Sequence, residues 1–178
     1  MSVVIRREWA MPSPSTFTIP PIATLLDRYL NGQSQVVDPF CGSSTRAGIR
    51  NDLRTGVDAI EWLARFERDE WADVVLLDPP YSPRQISEVY KSVGLKASMT
   101  DTQNARLYRA AKDGLDRILK PGGIAITCGW NSSGFGVGRG YQQLEILMVC
   151  HGGAHNDTIV VVERKIDQAR TLPLEAAP

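Results

Sequence analysis

The 178-residue chain is poor in the residues that carry metal and disulfide chemistry: it has three cysteines and two histidines, with no Cys-x-x-Cys pair and no HExxH run. Cys41, Cys128 and Cys150 are odd in number and scattered, so they read as reduced thiols in a core or near a site. His151 and His155 have a spacing found in metal sites, but no third ligand clusters with them. A hydrogen-bonded turn is the expected role, and no metal is expected. Net charge is missing as well, because 20 basic residues balance 20 acidic ones. A nucleic-acid partner would have to be met by a segregated basic face. No apolar run approaches the ~20 residues of a membrane span. The opening MSVVIRREWAMPSPS has neither the apolar block nor the cleavage site of a signal peptide, so a cytoplasmic protein without membrane contact is expected. No GKS or GKT is present, which excludes a Walker phosphate loop.

What remains suits one globular domain. The chain is 43% hydrophobic and 22% charged, over a length that fills a single core. Residues 1–21 read as a lead-in and 166–178 as a flexible tail, with no internal repeat between them.

Two motifs stand at the ends of apolar runs. Val74-Val75-Leu76-Leu77 reads as a buried parallel strand and runs into Asp78-Pro79-Pro80-Tyr81. The carboxyl ends of strands are where open α/β sheets keep their sites. Neither proline has a backbone N–H, so this turn is stiff and offers only acceptors. An acceptor-lined niche beside a flat ring suits an exocyclic amino group on a nucleobase. A Pro-Pro step that merely stops a strand is the competing reading. Upstream, Val36-Val37 runs into Asp38-Pro39-Phe40-Cys41-Gly42-Ser43-Ser44-Thr45, a carboxylate followed by small residues. Small residues let a ligand approach the backbone, and a carboxylate holds a cationic ammonium.

Helical spacing covers 22–30, 87–93 and 103–119, and strands are expected at 35–37, 48–51, 124–128, 144–150 and 158–163. The last two, joined by HGGAHND, imply an antiparallel hairpin. Asp38 and Asp52 are too close for an ordinary crossover helix with a strand at 48–51. A second reading places a helix over 44–53 and the strand at 57–58. Residues 131–140 hold four glycines and are expected to be mobile.

These motifs, in this order, resemble those of the amino-group DNA methyltransferases that use S-adenosylmethionine, and most of all the small adenine-specific methylases of phages and related mobile elements. The likeness extends over roughly residues 8–165, through the lead-in PSTFTIPPI, SPRQISEVY after DPPY, LKPGG, GWNS and HGGAHND. It implies an α/β, Rossmann-like methyltransferase sheet, mostly parallel with a carboxy-terminal antiparallel hairpin. Helices cover both faces, and the first crossover helix is shortened or absent.

By the same resemblance Asp78, Pro79, Pro80 and Tyr81 are catalytic. Asp38, Pro39, Phe40, Cys41, Gly42 and Ser43 bind the cofactor, with Thr16 and Phe17 at its methionine carboxylate, Asp52 at the ribose and Asp58 at the adenine. For Asp52 and Asp58 a helix cap or turn carboxylate is the alternative. Arg84, Asn131, Phe135 and Arg139 are assigned to nucleic acid. The implied reaction is methyl transfer to the 6-amino group of a flipped adenine in DNA, with S-adenosylhomocysteine as product. Asp in first place of the tetrapeptide favours adenine, although some ribosomal-RNA guanine methylases carry DPPY or close variants. An RNA amino-methyltransferase and a non-catalytic cofactor-binding module remain alternatives. No separate target-recognition domain is expected, so the partner DNA would be read through a very short sequence or with a second subunit, as a homodimer.

Overall fold

The computed structural model describes residues 2–55, 57–96, 98, 104–153 and 155–167. Seven strands form one sheet: β1 (Val4–Trp9), β2 (Val36–Asp38), β3 (Ile49–Arg50), β4 (Ala72–Leu77), β5 (Leu119–Gly129), β6 (Tyr141–Cys150) and β7 (Thr158–Lys165), in the spatial order β1-β6-β7-β5-β4-β2-β3. Only β7 is antiparallel to its neighbours, β5 and β6. This is the mostly parallel sheet with a terminal hairpin that the sequence leads one to expect.

Burial explains the centre. Val74, Val75, Leu76 and Leu77 of β4 are all fully buried, because helices cover both faces of a parallel strand. On one face α1 (Pro20–Leu30) packs Ile22, Leu25 and Leu26 against Val36, Val74 and Leu76. On the other, Leu63 of α2 (Ala59–Ala64) and Ala111, Leu115 and Ile118 of α4 (Asn104–Ile118) pack against Val37, Val75 and Leu77. The remaining helix, α3 (Pro83–Ser92), starts four residues earlier than its apolar spacing suggests. Ser82 caps it by accepting from the Gln85 N–H, and Pro83 sits in its first turn. Gln103 of the expected 103–119 helix lies outside the described residues. No helix among the described residues is long and apolar enough to cross a membrane.

From β2 to β3 the chain crosses without a helix, and β3 pairs parallel to β2 at Val37–Ile49 and Asp38–Arg50. The reading with a helix over 44–53 and a strand at 57–58 is thereby corrected. β5 begins at Leu119, earlier than Ile124: Leu119 pairs with Ala72, and a bulge over Lys120–Gly123 restores register at Val74–Ile124.

The strand at the opposite edge, β1, has no counterpart in the sequence reading. It runs parallel to β6 from Val4–Glu145 to Trp9–Cys150, with all six residues exposed. Arg6 anchors it, since its Nε lies 3.2 Å from the nearly buried carboxylate of Glu145. The same carboxylate accepts from the Arg28 guanidinium at 2.8 Å and the Tyr29 hydroxyl at 3.0 Å. His151 closes the hairpin as a buried turn residue, its Nδ1 donating to the Ala10 carbonyl at 2.8 Å. Its Nε2 is therefore left to accept from the Thr158 hydroxyl at 2.9 Å.

Candidate active site

The carboxyl ends of β2, β3 and β4 and the lead-in loop enclose one cleft of about 1070 Å³. Thr16, Phe17, the segment Pro39–Ser43, Asp52, Asp58 and the whole Asp78–Tyr81 tetrapeptide line it. Asp78 occupies the position after Leu77, the last residue of β4. Its carboxylate accepts from the Tyr81 and Thr16 hydroxyls. Burial pushes Asp78 above the usual carboxylate range, and those two donors oppose the push. The Tyr81 backbone N–H donates to the Gln85 side chain at 2.7 Å, which ties the end of the tetrapeptide to the first turn of α3. The Tyr81 ring lies 5.6 Å from that of Trp130 at an interplanar angle of 60°, and Trp130 is 45% exposed.

The loop after β2 is held from beneath. Asp38 is fully buried under it, so it does not line the cleft; its Oδ1 accepts from the Phe40 N–H at 3.0 Å. Its Oδ2 has no hydrogen-bond partner among the described residues. Burial, with the nearby charges of Asp78 and Asp52, pushes Asp38 up to about 7 against the effect of the Phe40 N–H. Gly42 has φ +54 and donates its N–H to Asp52 Oδ2 at 3.0 Å. Asn51, which the sequence did not single out, is the hub of this region. Its side-chain amide donates to the carbonyls of Pro39 and Val57, and its backbone bonds to Asp38 and Cys41. Only its adjacency to Asp52 could have marked it.

No protein-family model matches the chain, and no curated protein does. Solved structures do. The Burkholderia thailandensis 1,6-didemethyltoxoflavin-N1-methyltransferase, crystallised with 1,6-didemethyltoxoflavin and S-adenosylhomocysteine, superposes with a TM-score of 0.54 at 14% identity, over 83% of this chain and 77% of that one. TrmN from Thermus thermophilus gives 0.50 at 19% identity over 83% and 49%. HI0767 from Haemophilus influenzae, assigned as a methylase, gives 0.51 at 14% identity over 83% and 98%. The chain has the class I S-adenosylmethionine-dependent methyltransferase fold.

In this methyltransferase fold the acids expected at the cofactor are already engaged. Asp52 holds Gly42 with one oxygen. With the other it accepts from the Arg54 N–H at 2.9 Å and faces the Arg54 guanidinium at 3.4 Å. Asp58 caps α2, its Oδ1 accepting from the Ile60 and Glu61 N–H groups at 2.8 and 3.2 Å. The cap is thus a structural role that Asp58 fills while bordering the cleft.

The four residues assigned to nucleic acid are not gathered at the cleft wall. Arg84 is exposed and paired with Glu88 one turn along α3. Asn131 is exposed and accepts from the Ser133 N–H at 3.0 Å. Arg139 pairs with Asp113 at 2.6 Å. Phe135 is a correction: it is 5% exposed and packs on Tyr141, with ring centroids 4.8 Å apart, so its ring is core. The expectation of a mobile 131–140 segment is corrected with it. The fully buried carboxylate of Glu163 accepts from the Phe135 and Gly136 N–H groups, and Lys112 Nζ donates to the Gly134 carbonyl. Glycine is required there because a Cβ on Gly134, at φ +50, would collide with the Glu163 carboxylate. Among the described residues no three His, Cys, Asp or Glu side chains are arranged to hold a metal ion.

Proposed function

We propose that this protein transfers a methyl group from S-adenosylmethionine to the exocyclic 6-amino group of adenine in DNA. The observation that carries the reading is the tetrapeptide Asp78-Pro79-Pro80-Tyr81 on the wall of the same cleft as the Pro39–Ser43 loop. A cleft of about 1070 Å³ is large enough for a nucleoside cofactor and an extruded base together. The residues present fit the cofactor. Asp38, whose Oδ2 has no partner among the described residues, lies beneath the loop and would act on a cationic amino acid end through the loop by its charge, and Asp52 and Asp58 line the cleft as acceptors for ribose and purine. When bound, the cofactor supplies an electrophilic methyl group on a sulfonium.

The protein's task is then to make an aromatic amine nucleophilic. Its lone pair is delocalised into the ring, and it is recovered when both amino hydrogens are held by acceptors that favour a tetrahedral nitrogen. Asp78 accepts one hydrogen and the Pro79 carbonyl the other, with no N–H from either proline to compete. Asp78 must be ionised for this role, and the Tyr81 and Thr16 hydroxyls favour that state against burial. Tyr81 and Trp130 supply ring faces for the base. Catalysis is chiefly positioning and acceptor electrostatics, and the amino proton leaves after the methyl group has transferred.

Incubation with labelled cofactor and duplex DNA, followed by digestion to nucleosides, tests the proposal. Label in 6-methyladenine of DNA is expected. Label appearing only in RNA would move the activity to the alternative polymer, and no transfer to any polymer would favour a module that binds the cofactor without catalysis.

A further inference from the structure

We infer that the outer edge of β1 is a seam at which two copies of this chain join, their β1 strands antiparallel about a twofold axis through Arg7. The inference concerns assembly and does not depend on the methyl-transfer reading. β1 is the terminal strand of the sheet, so its outer row of N–H and C=O groups faces no other strand among the described residues. Soluble proteins protect such edges with charge, proline or a covering segment. Here charge is confined to the centre, at Arg6, Arg7 and Glu8, and apolar side chains flank it: Val3, Val4, Ile5, Trp9 and Met11 are 38%, 46%, 69%, 66% and 64% exposed. They are five of the eight large hydrophobic side chains exposed among the described residues. Of the two arginines in the strand, Arg6 is turned to Glu145, and Arg7 Nε donates to Cys150 Sγ at 3.2 Å.

The occupant follows from the sequence of the strand itself. Side chains alternate between the faces of a sheet, so Val3, Ile5, Arg7, Trp9 and Met11 share one face, and Val4, Arg6 and Glu8 share the α1 face with Glu145. With the axis at Arg7, Ile5 lies opposite Trp9 of the partner subunit and Val3 opposite Met11 of the partner subunit. On the other face Arg6 lies opposite Glu8 of the partner subunit. Each pair occurs twice by symmetry, so on both sides of the axis apolar meets apolar and plus meets minus. The like pair on the axis, Arg7 with Arg7 of the partner subunit, is drawn away from the seam, since each guanidinium donates to its own Cys150 on the inner neighbour β6. Moving the axis by one residue in either direction loses the match. At Arg6, Ile5 faces an arginine and Val4 a glutamate; at Glu8, two glutamates meet and Trp9 faces Arg7. A second copy is therefore the partner whose chemistry this edge fits.

Because β1 runs in the same direction as β4, the twofold axis sends the two clefts to opposite ends of the joined sheet. The residues described as lining each cleft come from its own chain.

Sedimentation velocity on the full chain tests the seam. At micromolar concentration the native chain is expected at twice its 19.6 kDa mass. Ile5→Glu and Trp9→Lys should each weaken the dimer about tenfold or more, since each spoils two symmetric pairs. The double variant, or an equimolar mixture of the two singles, should recover it by placing Glu opposite Lys. Both positions are exposed, and thermal melts report whether each variant folds. As an independent check, Ile5→Cys chains mixed with Trp9→Cys chains should yield an interchain disulfide under a mild thiol oxidant, and neither alone should. A monomeric native chain, or a dimer indifferent to these charges, overturns the inference. So does a monomer whose Trp9→Lys variant loses affinity for a DNA oligonucleotide, which would make this edge a nucleic-acid surface instead.

Discussion

Asp38→Asn tests the electrostatics beneath the cofactor loop. Asp38 is fully buried, lacks a partner for Oδ2 among the described residues and is pushed up from 3.8 to about 7. Between those two pH values the folded chain keeps a proton that the unfolded chain has released. Stability therefore falls as pH rises, and this contribution is complete below about pH 4 and lost above about pH 7. Three pH units correspond to a change on the order of 4 kcal/mol, a large share of the ~5–15 kcal/mol that holds a domain together. Asn is neutral throughout and keeps the oxygen that accepts from the Phe40 N–H. Urea denaturation of both chains, without cofactor, should give stabilities within about 1 kcal/mol of each other near pH 3, where the Asp38 side chain is neutral in the folded and the unfolded chain alike. Near pH 8 the variant should be the more stable by several kcal/mol, and titrating groups remote from Asp38 cancel in the difference. Parallel pH profiles for the two chains, or a variant less stable at high pH, would refute the reasoning.

Cofactor affinity should rise with pH up to about 7, by as much as tenfold per unit, if a bound ammonium pulls Asp38 into its ionised state; isothermal titration in buffers of different ionisation enthalpy would count the proton released. Glu163→Ala should destabilise the fold by about 2–5 kcal/mol in denaturant melts, because the buried Phe135 N–H and the half-buried Gly136 N–H lose their acceptor. Asp58→Ala should cost about 1 kcal/mol through loss of the α2 cap, and a larger fall in cofactor affinity than in stability would show that it also meets the ligand. Trp130→Ala should raise KM for DNA more than it lowers kcat in steady-state assays if, as proposed, the exposed ring beside Tyr81 stacks on the bound base.

What was legible in the sequence follows from burial. Val74–Leu77 and Val36–Val37 are apolar on both faces because helices cover both, and such runs announce themselves together with the acids that end them. The missing crossover helix was legible too, because chain length alone forbids it between Asp38 and a strand at 48–51. β1 gave no such signal: a strand that buries no side chain carries no periodic pattern, and its place is set by Arg6 reaching Glu145. The Gly-rich segment misled for a related reason. Its glycines suggest freedom, but the groups that hold it, Lys112 and Glu163, are 22 and 28 residues distant from their contacts there. Phe135 was assigned to nucleic acid from its neighbourhood in the chain, and its burial on Tyr141 depends on that same long-range clamp.

The most direct measurement is single-turnover methyl transfer to a DNA oligonucleotide by Asp78→Asn, made beside the cofactor affinity of the same variant. Replacing the ionised acceptor with an amide should slow transfer by about 10²–10³, with cofactor affinity unchanged. Transfer at the native rate, or a loss that reflects weaker cofactor binding alone, would contradict the claim that Asp78 acts on the amino group of the target base.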